Sequence, residues 1–207
     1  MWGIYVKFTQ IPYKNVDHLF HIGSISAYQI RKSFQTRNIW TLLKLYTTYI
    51  RPKLEYSSPV WSPYLIKDVT KLESVQRSFS KFACLRCSVP FTSYQDRLNK
   101  LNLHTLEYRQ TVFDLIFFLK VLHGFTALNF SDYFKIRTLP YPLRGGGHKI
   151  EPKEHFKLSQ LKNSFFNRVP PIWNALPDKI TSEKNINKFK DLLNKFDFYK
   201  VVNFKIR

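Results

Sequence analysis

The 207 residues are 44% apolar and 17% aromatic, enough for a packed core and too much for a disordered chain. Thirty-three Lys and Arg against fourteen Asp and Glu give a net charge of +19, which points to a polyanionic partner, nucleic acid ahead of a membrane surface. The longest apolar run, Leu115 to Leu119, is too short for a membrane span, no secretory pattern opens the chain, and two cysteines are too few for a disulfide scaffold, so an intracellular protein of nucleus or cytoplasm is expected.

From Asn38, a candidate N-cap, apolar residues at Ile39, Leu42, Leu43, Tyr46, Tyr49 and Ile50 predict a helix that Pro52 ends. The stretch from Pro52 to Pro63 then reads as extended or turn backbone. A second helix is predicted from near Leu65 to before Pro90. Thr92 and Ser93 offer overlapping caps for a short helix containing Leu98 and Leu101, and Thr105 caps a longer one, Leu106 to His123, that Gly124 stops. Between Phe125 and Lys162, prolines, three glycines and mixed charge read as a loop or linker. Prolines 170, 171 and 177 break the segment from Ser164 to Ile180, and Ser182 caps a last helix carrying Ile186, Phe189, Leu192, Leu193 and Phe196. The fold class is mainly α, a helical bundle with irregular Pro-rich connections and a C-terminal helix.

Catalytic constellations are scarce. No phosphate-cradling glycine loop, zincin or nucleophile-elbow motif occurs, and although two-metal phosphoryl chemistry needs clustered carboxylates, no two acidic residues are adjacent. Cys84 and Cys87 have the spacing of half a zinc site, as do His18 and His21, yet their order fits no ordinary finger and inert thiols are the simpler reading. The second helix is more informative. At about 100° per residue, Val69, Leu72, Val75, Phe79 and Phe82 share one side, while Lys67, Lys71, Arg77 and Lys81 gather on the other with Ser74 and Ser78. Such a face is either simply solvated or built for phosphate oxygens, and the charge of the whole chain favours the second.

The run YIRPKLEYSSPVWSPY, residues 49–64, carries a resemblance. A helix ending in Tyr-x-x-Tyr-Ile-Arg-Pro, then Leu-Glu-Tyr, Pro-x-Trp and a further Pro, resembles the region downstream of the palm in reverse transcriptases of non-LTR retrotransposons, the LINE-type and jockey-like elements. Arg51, Pro52, Glu55, Tyr56, Pro59, Trp61 and Pro63 hold that pattern here. The likeness continues through residues 72–82, 94–124 (with Arg97 and Arg109), 164–180 (with Trp173 and Pro177) and 189–196, covering about Ala27 to Phe196.

The resemblance implies a thumb-like helical domain over residues 31–124, after a divergent leader over 1–30 and before the linker of 125–162 and a C-terminal segment of 163–207. It implies an RNA or RNA–DNA primer–template as partner, gripped through the phosphate backbone by Lys67, Lys71, Arg77 and Lys81, with Arg31, Lys32 and Arg37 as a second group. It implies no catalysis by this chain, which lacks the aromatic-x-Asp-Asp motif of the palm. Mg2+ belongs to that palm, and no cofactor is expected here. Met1 is then expected to open a truncated copy or a late-started reading frame. Arg97 and Arg109 either pair with Asp96, Glu107 or Asp114 or meet nucleic acid, Glu55 pairs with Arg51 or Lys53, and Trp61 and Trp173 read as packing anchors ahead of base-stacking platforms. The rival expectations are a protein-interaction or self-associating module, once packed on a palm, and a decayed reading frame without a cellular role.

Overall fold

The computed structural model describes residues 12–138, 148–153 and 162–205, and it is mainly helical. These residues fall into two compact units, one of residues 12–110 with 204–205 and the other within 111–203.

The first unit opens with α1 (Pro12–Ser33), followed by α2 (Ile39–Leu45). Asn38 caps α2 as expected, its Oδ1 accepting from the N–H groups of Trp40 at 2.9 Å and Thr41 at 3.2 Å. The helix does not stop at Pro52, which corrects the expectation of extended or turn backbone from there to Pro63. Instead it widens into a π turn over Tyr46–Ile50, where the N–H of Arg51 reaches back five residues to the Tyr46 carbonyl, and continues as α3 (Arg51–Glu55). Proline in a regular helix lacks the bonding N–H and clashes with the carbonyl four residues back; the wider turn relieves both conflicts. Ser57 then adopts the left-handed conformation with φ 54°, and Pro59 sits in the first turn of a short α4 (Ser58–Trp61).

The long α5 (Ile66–Arg86) buries Val69, Leu72, Val75 and Phe79 in a core shared with Ala27 and Ile30 of α1, Leu42, Tyr46, Ile50, Leu54 and Trp61. Gly23 permits the close approach of α1, since a Cβ there would lie 2.7 Å from Leu54 Cδ2. A boundary at residue 30 would therefore cut α1, whose buried residues extend back to Val16. The short α6 (Tyr94–Lys100) is capped by Ser93, whose Oγ accepts from the Asp96 N–H at 3.1 Å, while Asp96 accepts from Thr92 N–H at 2.9 Å.

Next comes α7 (Leu106–Leu122), capped by Thr105, whose Oγ1 accepts from Tyr108 N–H at 3.2 Å. It closes at Gly124 with φ +69°, the left-handed stop glycine supplies most readily. The units divide within this helix, between Gln110 and Thr111, rather than at the expected 124 boundary.

Aromatic rings build the second unit. Phe118 lies 5.0 Å from Phe134, 4.9 Å from Trp173 and 6.3 Å from Phe130 between ring centres, and Phe117 meets Phe165 edge-on at 5.1 Å. The expected linker contains regular structure: α8 (Phe130–Tyr133) leads into β1 (Phe134–Thr138), which pairs antiparallel with β2 (His148–Pro152), Ile136 opposite Ile150. The three-glycine run lies outside the described residues. A two-stranded ribbon is marginal alone. Here Asn174 acts as a substitute strand residue, its Oδ1 accepting from Ile150 N–H at 3.0 Å and its Nδ2 donating to Ile150 C=O at 2.8 Å.

Pro170 and Pro171 do not break their segment. They lie inside α9 (Phe165–Asn174), whose Phe165, Phe166, Val169, Pro170 and Trp173 are buried, so packing outweighs the missing backbone donors. After α10 (Asp178–Thr181), the last α-helix, α11 (Ile186–Lys195), is capped by Asn185 and not by Ser182, because Asn185 Oδ1 accepts from Asn187 and Lys188 N–H groups.

Asp114 of α7, which is buried, and Arg168 of α9, which is half-buried, form a two-pronged pair at 2.8 and 3.0 Å. Burial pushes the Asp114 carboxyl above its ordinary value, and Arg168 opposes the rise. Replacing Asp114 by Ala takes the carboxylate from the half-buried Arg168 guanidinium, which keeps the Asn163 carbonyl, and is expected to cost about 3 kcal/mol in urea unfolding. Arg137→Ala, which opens an exposed pair with Glu151, should cost less than about 1 kcal/mol. Equal losses in the two variants would contradict this assignment.

Candidate nucleic-acid interface

The orientation of α5 is set from its buried side. Glu73 is 1% exposed, an unusual burial for a carboxylate. Its Oε2 accepts from the N–H of Leu106 at 2.8 Å, and its Oε1 accepts from Gln76 Nε2 at 3.0 Å and from the Tyr94 hydroxyl. Gln76 extends the network, accepting from Tyr46 OH at 2.6 Å and donating to the His104 carbonyl at 3.0 Å. One polar cluster thus ties α5 to the π turn, to α6 and to the first turn of α7. Desolvation pushes Glu73 up to about 6 against the pull of its hydrogen bonds and Arg77, and burial followed by Glu73's charge raises Tyr94 well above its ordinary value. None of Glu73, Gln76 or Tyr94 was anticipated. The available signal was polar residues at 73, 76 and 80 on the apolar side of the wheel.

With that side inward, Lys67 and Lys81 are exposed in the middle of the outer face. The two flanks of that face are engaged by neighbours. Lys71 pairs with Asp17 at 2.6 Å and lies over the Phe20 ring, both residues of α1. Arg77 lies 4.7 Å over the Tyr94 ring of α6. From α1, Arg31 donates to Ser78 Oγ at 2.8 Å and sits 5.2 Å from the centre of the Phe82 ring, so it joins the α5 face. Burial lowers its guanidinium from the ordinary value. Lys32 instead covers Tyr28 of its own helix, and Arg37 is exposed between α1 and α2; among the described residues no bond or ring contact joins either to α5. Arg86 was not anticipated, although its position four residues after Phe82 marks it: it lies 5.6 Å over that ring.

The bend of residues 49–64 is tied by its own charged residues. Arg109 of α7 grips Glu55 with two donors, Nη2 to Oε2 at 3.0 Å and Nε to Oε1, and Arg51 stands 3.9 Å from the same carboxylate. Glu55 therefore takes Arg51 as expected, and it also takes Arg109, whose expected partners were Asp96, Glu107 or Asp114. Trp61 is 3% exposed and donates through Nε1 to the Tyr56 carbonyl, while the Tyr56 ring points to solvent at 76% exposure. Pro52 and Pro59 sit in the first turns of α3 and α4, and Pro63 follows α4. Arg97 is buried, its guanidinium 4.7 Å over Phe91 and 5.2 Å over Tyr94, with Nε toward Ser80, which makes it a packing residue rather than an ion-pair partner of Asp96. Trp173 is 4% exposed and Pro177 caps α10. Both tryptophans are packing anchors.

Cys84 is buried and Cys87 half-buried, and burial raises both thiols. His18 and His21 are exposed on α1. Among the described residues no group of three or more His, Cys, Asp or Glu side chains is placed to hold a metal ion, and no helix is long and apolar enough to cross a membrane.

No family model matches the chain, and no solved structure matches it. It is similar to the uncharacterized Caenorhabditis elegans protein B0403.1, with 26% identity over 111 residues that cover 54% of this chain and 56% of that protein. The chain thus spans about half the length of the curated relative it matches.

Glu73 gives a signed pH dependence. Its folded value is raised from 4.5 to about 6, so between these limits the folded state holds a proton the unfolded state has lost. The contribution is fully present below pH 4.5 and is lost as pH rises through about 6, a change of about 2 kcal/mol. Urea midpoints of the wild type and Glu73→Gln measured from pH 4 to 8 should diverge in that sense, the wild type declining relative to the variant. A relative rise with pH would contradict the buried-carboxylate account.

Proposed function

We propose that this chain is the thumb and post-palm portion of a reverse transcriptase of the non-LTR retrotransposon type, without the catalytic palm, and that it binds RNA or an RNA–DNA duplex through the phosphate backbone. Its work is to hold nucleic acid inside the cell, in nucleus or cytoplasm, and not to catalyse. The observation that carries the reading is the outer strip of α5: Lys67 and Lys81 stand exposed on a 21-residue helix whose opposite side is locked into the core, in a chain of net charge +19. Such a strip meets phosphates at any sequence, because backbone contacts carry no base information.

A second support comes from the run that resembles the family. Glu55 and Arg109 belong to separate blocks of that likeness, 54 residues apart, and they are each other's ion-pair partners. A chain that keeps both blocks keeps one corner of the fold. The rival reading, a protein-interaction or self-associating module, is favoured by a different place, an open groove of about 730 Å3 lined by Leu19, Ile22, Pro52, Tyr56, Val60 and Trp61.

If about eight phosphates are neutralised, log K for a heteroduplex plotted against log salt should fall with a slope near −6 to −7. Joint Lys67→Gln and Lys81→Gln substitution should flatten that slope by about 1.5, whereas Lys71→Gln, whose ammonium already has Asp17, should change it less. Fluorescence anisotropy over a salt series reads both numbers. A flat salt response, with self-association persisting in high salt, would set the nucleic-acid reading aside in favour of the interaction module.

A further inference from the structure

The C-terminal half of α5 carries a group that backbone tracking alone does not call for. Ser78, Lys81, Phe82, Leu85 and Arg86 line an open groove of about 490 Å3. Arg31 of α1 meets two of these residues, Ser78 and Phe82, so that two guanidiniums, Arg31 and Arg86, lie 5.2 and 5.6 Å from the same Phe82 ring centre. Among the described residues no acidic side chain pairs with Arg31, Lys81 or Arg86, in contrast to Lys71 with its Asp17 and Arg109 with its Glu55. Two such cations on one helix end and a third facing them from α1 repel one another, and the Phe82 ring offsets that only in part.

Three details give the group a direction. Ser78 Oγ accepts from Arg31, which leaves the hydroxyl proton for an incoming oxygen. Arg31 uses one Nη for that bond and has a guanidinium partly stripped of water, a state that strengthens an ionic hydrogen bond to an anion. Leu85, 62% exposed, and Phe82 add an apolar floor next to the charges. An anion with an attached flat or apolar part satisfies all three.

We propose that this groove is a discrete phosphate seat: Arg31, Ser78, Lys81 and Arg86 take one phosphate group, and Phe82 with Leu85 takes the sugar or base attached to it. The inference rests on the nucleic-acid reading for its ligand, a phosphodiester of a bound strand. It goes beyond that reading by fixing one position along the helix where a strand is held by several groups at once.

The test uses the full chain and two probes, a ten-nucleotide oligouridylate and inorganic pyrophosphate. Arg86→Gln, Lys81→Gln and Phe82→Leu are compared with Lys190→Gln, an exposed cation of α11, after melting curves establish that each variant is folded. The seat predicts that Arg86→Gln and Lys81→Gln each weaken oligouridylate binding roughly fivefold and flatten the salt slope by about 0.7, that Phe82→Leu weakens binding with the slope unchanged, and that Lys190→Gln leaves both as in the wild type. If oligouridylate binds and all four variants behave alike, the seat is overturned while the nucleic-acid reading stands. If no oligouridylate binds but pyrophosphate raises the melting temperature of the wild type and not of Arg86→Gln, the seat stands as a site for a free phosphate compound and the nucleic-acid reading falls. If neither probe acts, both are overturned.

Discussion

The carboxylate of Glu73 is the interaction on which the first unit depends. It satisfies the first backbone donor of α7, the hydroxyl of Tyr94 and the amide of Gln76, and through Gln76 it reaches the Tyr46 hydroxyl in the π turn. A buried charge is tolerated only when such donors surround it, and removing one partner costs far more than the pair contributes. Because these donors come from different helices, the network fixes the rotation of α5 about its own axis. That rotation turns Lys67, Ser74 and Lys81 outward and brings Ser78 and Phe82 beside Arg31. The same polar cluster that shapes the core therefore decides which cations are available at the surface.

Most helices were legible in the sequence because their signals are local. Asn38, Ser93, Thr105 and Gly124 mark ends through hydrogen bonds or dihedral angles within a few residues of themselves. The errors cluster where a distant contact overrides a local rule. Pro52 signals a stop, yet the π turn before it, packed through Tyr46 and Ile50, carries the helix past. Pro170 and Pro171 signal a break, yet the buried side chains around them hold α9 together. The β1–β2 pair was missed because the alternation Phe134-Lys135-Ile136-Arg137 is short and lies among prolines and glycines, and because the support for β2 comes from Asn174, more than twenty residues downstream.

The candidate site was legible in outline only. The four cations of α5 fall on one face by periodicity alone, but periodicity cannot show that Lys71 has Asp17, that Arg77 rests on Tyr94, or that Arg31 crosses from another helix. The motif of residues 49–64 shows the complementary case. Its Glu55 is bound by an arginine 54 positions away, a pairing no local rule reveals, and its Trp61 pins the turn through the Tyr56 carbonyl. Composition alone suggested a crowded bend. The structure makes it a clamped corner that holds α3 and α4 against the start of α7.

The claim that the outer strip of α5 is a nucleic-acid surface is tested most directly by lysine acetylation footprinting with and without an RNA–DNA heteroduplex, read residue by residue by mass spectrometry. Exposed lysines that contact phosphate lose reactivity when the duplex is present. The strip requires that Lys67 and Lys81 be protected strongly, Lys71 weakly because Asp17 already holds it, and exposed lysines of α11 such as Lys190 not at all. Protection spread evenly over all exposed lysines, or absent from Lys67 and Lys81, would contradict it.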